Sequence, residues 1–190
     1  MEPRRLLDLL HIAERLKDTT RHCTTTNRRP ESVAEHSWRS ALMAYFLKDE
    51  FPDVDIQKVI LMCIVHDLGE AFTGDIPTFE KTSNDESNEE KLLYCWLNEM
   101  PSSYANELKL LFEEMNQRET KEAKLFKAID KLEAVIQHNE SPIDTWIPLE
   151  YELNKTYGND IVSFSPYLQK LRKEILSDTL QKNEKEGENN

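Results

Sequence analysis

Residues 59–67, VILMCIVHD, constrain the fold more than any other stretch of the sequence. Val59 to Val65 form an unbroken apolar run, too short to cross a membrane and too continuous for a one-sided surface helix. They predict a central helix, from about 56 to 68, around which the rest of the chain packs. The run then ends abruptly on His66 and Asp67, and Glu70 and Asp75 follow in IVHDLGEAFTGDIP. An ionised carboxylate beside a buried segment needs a compensating charge. Cationic side chains are scarce nearby, so a metal ion is the sharper candidate.

The flanking segments read as helices too. Leu6, Leu9, Leu10, Ile12, Ala13 and Leu16 recur at helical spacing, and the polar, Thr-rich 18–31 then reads as loop. Ser32 with Glu35 matches a capping box at the start of a second helix. Asp55 is placed to cap the central one. Further amphipathic stretches cover about 85–100, 104–118, 120–140 and 167–180. No internal repeat or strand is expected. The expected fold is all-α: one compact helical bundle over residues 1–180, with a charged, disordered tail at 181–190. A chain of 190 residues can bury a single core of that kind.

The formal net charge of −12 argues against binding along a polynucleotide, which calls for a basic stripe. Arg28 and Arg29, with Arg21 and His22 upstream, could hold one small anion at most. Cys23, Cys63 and Cys95 are sparse, odd in number and never paired as C-x-x-C, which fits reduced thiols in the cytoplasm. The first residues are too polar for a signal-peptide core, and no apolar run approaches a membrane span. The expected setting is therefore cytoplasmic, with no membrane partner.

His36 lies one turn into the second helix, His66 and Asp67 close the central one, and Asp130 sits on the apolar face of the helix over 120–140. Two imidazoles and two carboxylates would make a mixed site for one divalent ion (Mn, Co, Mg, Fe or Zn). Taken singly, each residue has a plainer reading: a hydrogen-bonded core histidine, or Asp130 paired with Lys127 or Lys131. His11 and His138 read as structural or exposed, and Trp38 and Trp96 as core.

The ordered pattern of His36, His66-Asp67 and Asp130, set in PESVAEHS, HDLGEAFTGDIPT and IDKLEA, resembles the HD-domain phosphohydrolase superfamily. The flanking words are similar to the branch of bacterial 5′-deoxynucleotidase and HD domain-containing protein 2, over roughly residues 5–175. The resemblance implies a helical HD domain and one catalytic metal on His36, His66, Asp67 and Asp130. It also implies Glu70 and Asp75 as the proton-handling pair, and Arg21 and, more loosely, Lys81 near a phosphate. The implied activity is hydrolysis of (deoxy)nucleoside 5′-monophosphates by a homodimer. Triphosphate or cyclic-nucleotide hydrolysis, or a non-catalytic binding role, are the alternatives. His22 stands where the bacterial enzymes carry a sugar-selecting tryptophan, which makes it a candidate substrate contact and leaves sugar preference open.

Overall fold

A computed structural model describes residues 1–187, with side chains through Glu184. Its helices are α1 (Pro3–Glu14), α2 (Val33–Phe46), α3 (Ile56–Val65), α4 (Glu70–Thr73), α5 (Ser83–Leu97), α6 (Ser102–Gln117), α7 (Lys121–Glu140), α8 (Glu150–Thr156) and α9 (Pro166–Gly187). The starts of four of these helices are written into the sequence. Ser32 Oγ accepts from the Glu35 N–H while the Glu35 carboxylate accepts from the Ser32 N–H at 2.9 Å. Thr82 and Asp85 repeat the box at α5, and the Asp55 and Thr120 side chains cap α3 and α7. Each such cap satisfies an amide that the helix itself cannot, a contribution of about 1 kcal/mol.

The core is built on α3 and α7. Val59, Met62 and Cys63 from one and Leu125, Ala128, Ile129 and Leu132 from the other are fully buried. α2, α6 and α9 pack around α7. The all-α expectation holds for the bulk of the chain, and α3 is central, although Ile64 on its outer side is 50% exposed. α3 also stops earlier than the apolar pattern suggests. His66 caps its end, and Asp67, Leu68 and Gly69 form a tight turn into α4.

Three expectations need correction. Residues 18–31 are not all loop: β1 (Thr20–Thr24) and β2 (Pro30–Ser32) form a small antiparallel ribbon. Its β-branched threonines favour extended backbone, and Arg28 at φ 65° takes the left-handed position of the connecting turn. Trp38 is 64% exposed rather than core, whereas Trp96 is buried. α2 buries His36, Ser37, Ser40 and Ala44, a small and polar face, and turns its aromatic residues outward. Finally, α9 continues well past Leu180, so a helix occupies the beginning of the stretch read as a disordered tail; residues 188–190 lie outside the described residues.

Candidate metal centre and active site

Four side chains from α2, α7 and the turn after α3 meet at one point. His36 Nε2 lies 3.2 Å from Asp130 Oδ1 and 4.0 Å from Asp67 Oδ2. His66 Nε2 lies 3.0 Å from Asp67 Oδ2 and 3.7 Å from Asp130 Oδ1. The two rings meet edge to face. His36 sits one turn inside α2 because the capping box fixes where that helix begins. Asp130 follows Ile129 on α7, whose burial anchors the helix.

Both imidazoles are oriented from behind. His36 Nδ1 pairs with the buried Glu133 carboxylate, and His66 Nδ1 donates to the Cys63 carbonyl at 2.9 Å. With each Nδ1 so engaged, each Nε2 faces the two aspartates: His36 Nε2 lies within hydrogen-bond distance of Asp130, and His66 Nε2 is buried without a hydrogen bond. Lone pairs facing carboxylate oxygens repel unless a proton or cation lies between them. Burial resists protonation of His66, yet Asp67 and Asp130 outweigh it and raise its pKa to about 10. Asp67 and Asp130 are held well below the usual carboxylate range despite burial, by His66 and by Lys127 respectively. Two nitrogens and two carboxylate oxygens so arranged suit a divalent cation. A neighbouring acidic cluster, Glu31, His36 and Glu133, suits one less well. Arg21 lies 3.2 Å from Glu31 and Arg39 lies 3.5 Å from Glu133, so arginines already balance that charge.

Asp130 combines two readings: Oδ1 faces the histidines while Oδ2 accepts from Lys127 at 2.7 Å. Glu70 and Asp75 line the same cavity, of about 350 Å³. Burial, with Asp67, Asp75 and Glu89 close by, lifts the Glu70 pKa to about 10. Asp75 is raised as well, mainly by burial, against the pull of Arg21. Gly69 makes this crowding feasible, because a Cβ there would lie 2.7 Å from Glu89 Cγ. Gly74, at φ 78°, then ends α4 and swings Asp75 back over the cavity.

Arg21 reaches from β1 to within 3.9 Å of Asp67, backed by Glu31. Lys81 lines the cavity but is paired with Glu89 at 2.6 Å. His22 is not at the metal centre; it packs edge-on to Phe79 and lies 3.2 Å from Glu150. Arg28 and Arg29 do not form an anion patch, since Asp144 and Glu35 neutralise them. His138, read as structural or exposed, is a wall of the cavity. Glu31 and Glu133 were also missed as site residues. Their sequence signal is faint: a glutamate one turn beyond Asp130 and one just before the α2 cap.

A helical bundle in which α2, the turn after α3 and α7 together bring two histidines and two aspartates into one cluster defines a metal-dependent hydrolase type of site. A family model described as an HD domain matches residues 13–172, and the chain belongs to that family. A human protein named 5′-deoxynucleotidase HDDC2 is 31% identical over 141 residues, covering 72% of this chain and 68% of the relative. A Schizosaccharomyces pombe protein named 5′-deoxynucleotidase hdd1 is 31% identical over 140 residues, covering 70% of each. Among solved structures, a predicted metal-dependent phosphohydrolase from Magnetospirillum magnetotacticum MS-1 matches with a TM-score of 0.79 at 26% identity, over 94% of this chain and 95% of that one.

Proposed function

We propose that the protein is a metal-dependent phosphohydrolase that cleaves (deoxy)nucleoside 5′-monophosphates to nucleoside and phosphate. The observation that carries this reading is the convergence of His36, His66, Asp67 and Asp130 beside a carboxyl group, Glu70, whose pKa burial and neighbouring carboxylates raise. The names of the relatives support the substrate class.

A divalent ion held by those four residues would neutralise phosphate charge and lower the pKa of a bound water. Mn, Co, Mg, Fe and Zn all accept such a donor set, and a single ion is the reading adopted. Glu70 carries a proton it can deliver to the departing 5′ oxygen. Asp75, across the cavity, accepts a hydrogen bond from water and orients it. The Arg21 guanidinium, pinned by Glu31, offers charge to the phosphate oxygens as negative charge builds up. Lys81 adds positive charge at the rim, and His22 stands on the nucleoside side, against Phe79.

We further propose a homodimer of one HD domain per chain, spanning residues 1–180. Trp38, Leu42, Tyr45 and Phe46 lie at helical spacing along α2, and all four are exposed, an apolar stripe that a second copy would cover. A cytoplasmic location accords with free cysteines and with the finding that no helix among the described residues is long and apolar enough to cross a membrane.

The test is product analysis after stripping metal and reloading with each ion in turn, using ribo- and deoxyribonucleoside 5′-monophosphates and the corresponding triphosphates. Free phosphate from monophosphates, lost in Asp67→Ala, is the expected result. Metal-bound protein that releases only triphosphate, or nothing, would overturn the reading.

A further inference from the structure

The cavity that starts at Asp67 and Asp130 continues away from them. Its wall along α7 passes Ala134 and ends at His138. Eight residues of helix advance by about 12 Å, room for a sugar and a base beyond a phosphate. The far end is closed by α8, where Glu150 and Asn154 both line the cavity and are 2% and 3% exposed. At a spacing of four residues they share one face of the helix. Phe79 supplies apolar wall beside them.

Two polar atoms here have no hydrogen-bond partner: Glu150 Oε1 and Asn154 Nδ2. Glu150 Oε2 accepts from the Ile147 N–H at 2.8 Å, and the Asn154 backbone carbonyl accepts from Arg172 at 2.9 Å. His22 Nε2 and His138 Nε2 come within 3.2 and 3.4 Å of Oε1 without an aligned hydrogen bond. Asn154 Nδ2 is thus a buried donor left unpaired, and Glu150 Oε1 a buried acceptor met only by two imidazole nitrogens out of line, so both have hydrogen-bonding capacity left for a ligand.

We propose that Glu150 and Asn154 form a nucleobase subsite, an acceptor beside a donor that reads the donor–acceptor pair on a base's Watson–Crick edge. The proposal rests on the monophosphatase reading above. Adenine offers its exocyclic amine beside N1, cytosine its amine beside N3, guanine N1–H beside O6, and thymine N3–H beside O4. The pair therefore accepts all four bases and discriminates against one whose donor is blocked. Recognition of this kind depends on the edge being intact rather than on which base carries it.

The test compares thymidine 5′-monophosphate with its 3-methyl analogue, which replaces N3–H by N–CH3 and leaves sugar and phosphate unchanged. Two readouts are taken on metal-loaded protein: kcat/KM for phosphate release, and calorimetric affinity for thymidine against 3-methylthymidine. The methyl compounds should be weaker by about 10- to 100-fold in both, because a site built to bond an N–H is left unpaired without it. Asn154→Ala should lower kcat/KM about tenfold for all four deoxynucleotides. Glu150→Gln keeps an oxygen for the Ile147 N–H but presents a donor, and should erase the discrimination against the methyl group. Equal kcat/KM and equal affinity for methylated and unmethylated compounds in the wild-type protein would overturn the subsite and leave the monophosphatase reading standing. Absent phosphate release, with affinity that still depends on N3–H, would support the subsite and overturn the monophosphatase reading.

Discussion

Replacing Glu133 by glutamine isolates the group that aims His36. His36 is fully buried and Glu133 is 1% exposed, so water cannot substitute for the carboxylate. The glutamine can still accept from Nδ1–H through its carbonyl, but the bond is no longer charge-assisted and loses about half its strength. Its amide can also face the ring and favour the tautomer that turns a proton, not a lone pair, toward Asp130. Partners of metal-bound histidines are worth about 10- to 100-fold in metal affinity, or about 1.4 to 2.7 kcal/mol. The assay is chelator competition for Co²⁺ or Mn²⁺ at fixed pH, with circular dichroism to confirm the fold. Glu140→Gln is the control: it lies on the same helix and holds Arg39 at 2.7 Å, but does not touch His36. Affinity that falls at least tenfold in Glu133→Gln and stays level in Glu140→Gln is the expected result. An unchanged affinity for Glu133→Gln would refute the orienting role.

Ser32→Ala removes the side-chain half of the α2 cap and should lower stability by about 1 kcal/mol in urea unfolding, with the m-value unchanged. The Arg29 hydrogen bond, aided by Ser32, holds the Glu35 pKa at about 2 rather than 4.5. A folded value below the unfolded one means that Glu35 contributes fully above about pH 4.5 and loses its contribution as pH falls toward 2. Arg29 and Glu35 are largely exposed, which limits the pair to less than about 1 kcal/mol; the stability gap between wild type and Glu35→Gln should be present at pH 6, shrink below about pH 4.5 and close only near pH 2. Phe46→Glu, on the exposed stripe of α2, should shift sedimentation toward monomer while the isolated fold persists; a species distribution identical to wild type would count against that stripe as the interface.

The parts of this molecule legible in the sequence are those governed by local rules. The apolar run of α3, the Ser32–Glu35 box and the Asp55 cap act over a few residues, and each forms where its pattern lies. The candidate centre was legible only as four residues in order; what brings His36 against Asp130 is the packing of α2 and α3 on α7. The missed partners have at most a faint local signature. Glu133 meets His36 across 97 positions of chain, and Glu150 is remote from the motif words altogether. Trp38 misleads for a related reason. Burial on α2 follows what α7 presents, a polar cluster, so the small and polar side of the helix faces inward.

α7 carries Asp130, Glu133 and His138 on one continuous rod, with the Arg39 partners Gln137 and Glu140 near its end. Adding or deleting a single residue between Asp130 and His138 would turn everything beyond it by about 100° and slide it by about 1.5 Å. The Asp130 end and the His138 end of the cavity would then fall out of phase together. Gly74 to Lys81, which crosses the same cavity with little regular structure, has no such phase to keep. A change of length would be absorbed more readily in that crossing segment, while α7 acts as a ruler whose marks cannot be moved one at a time.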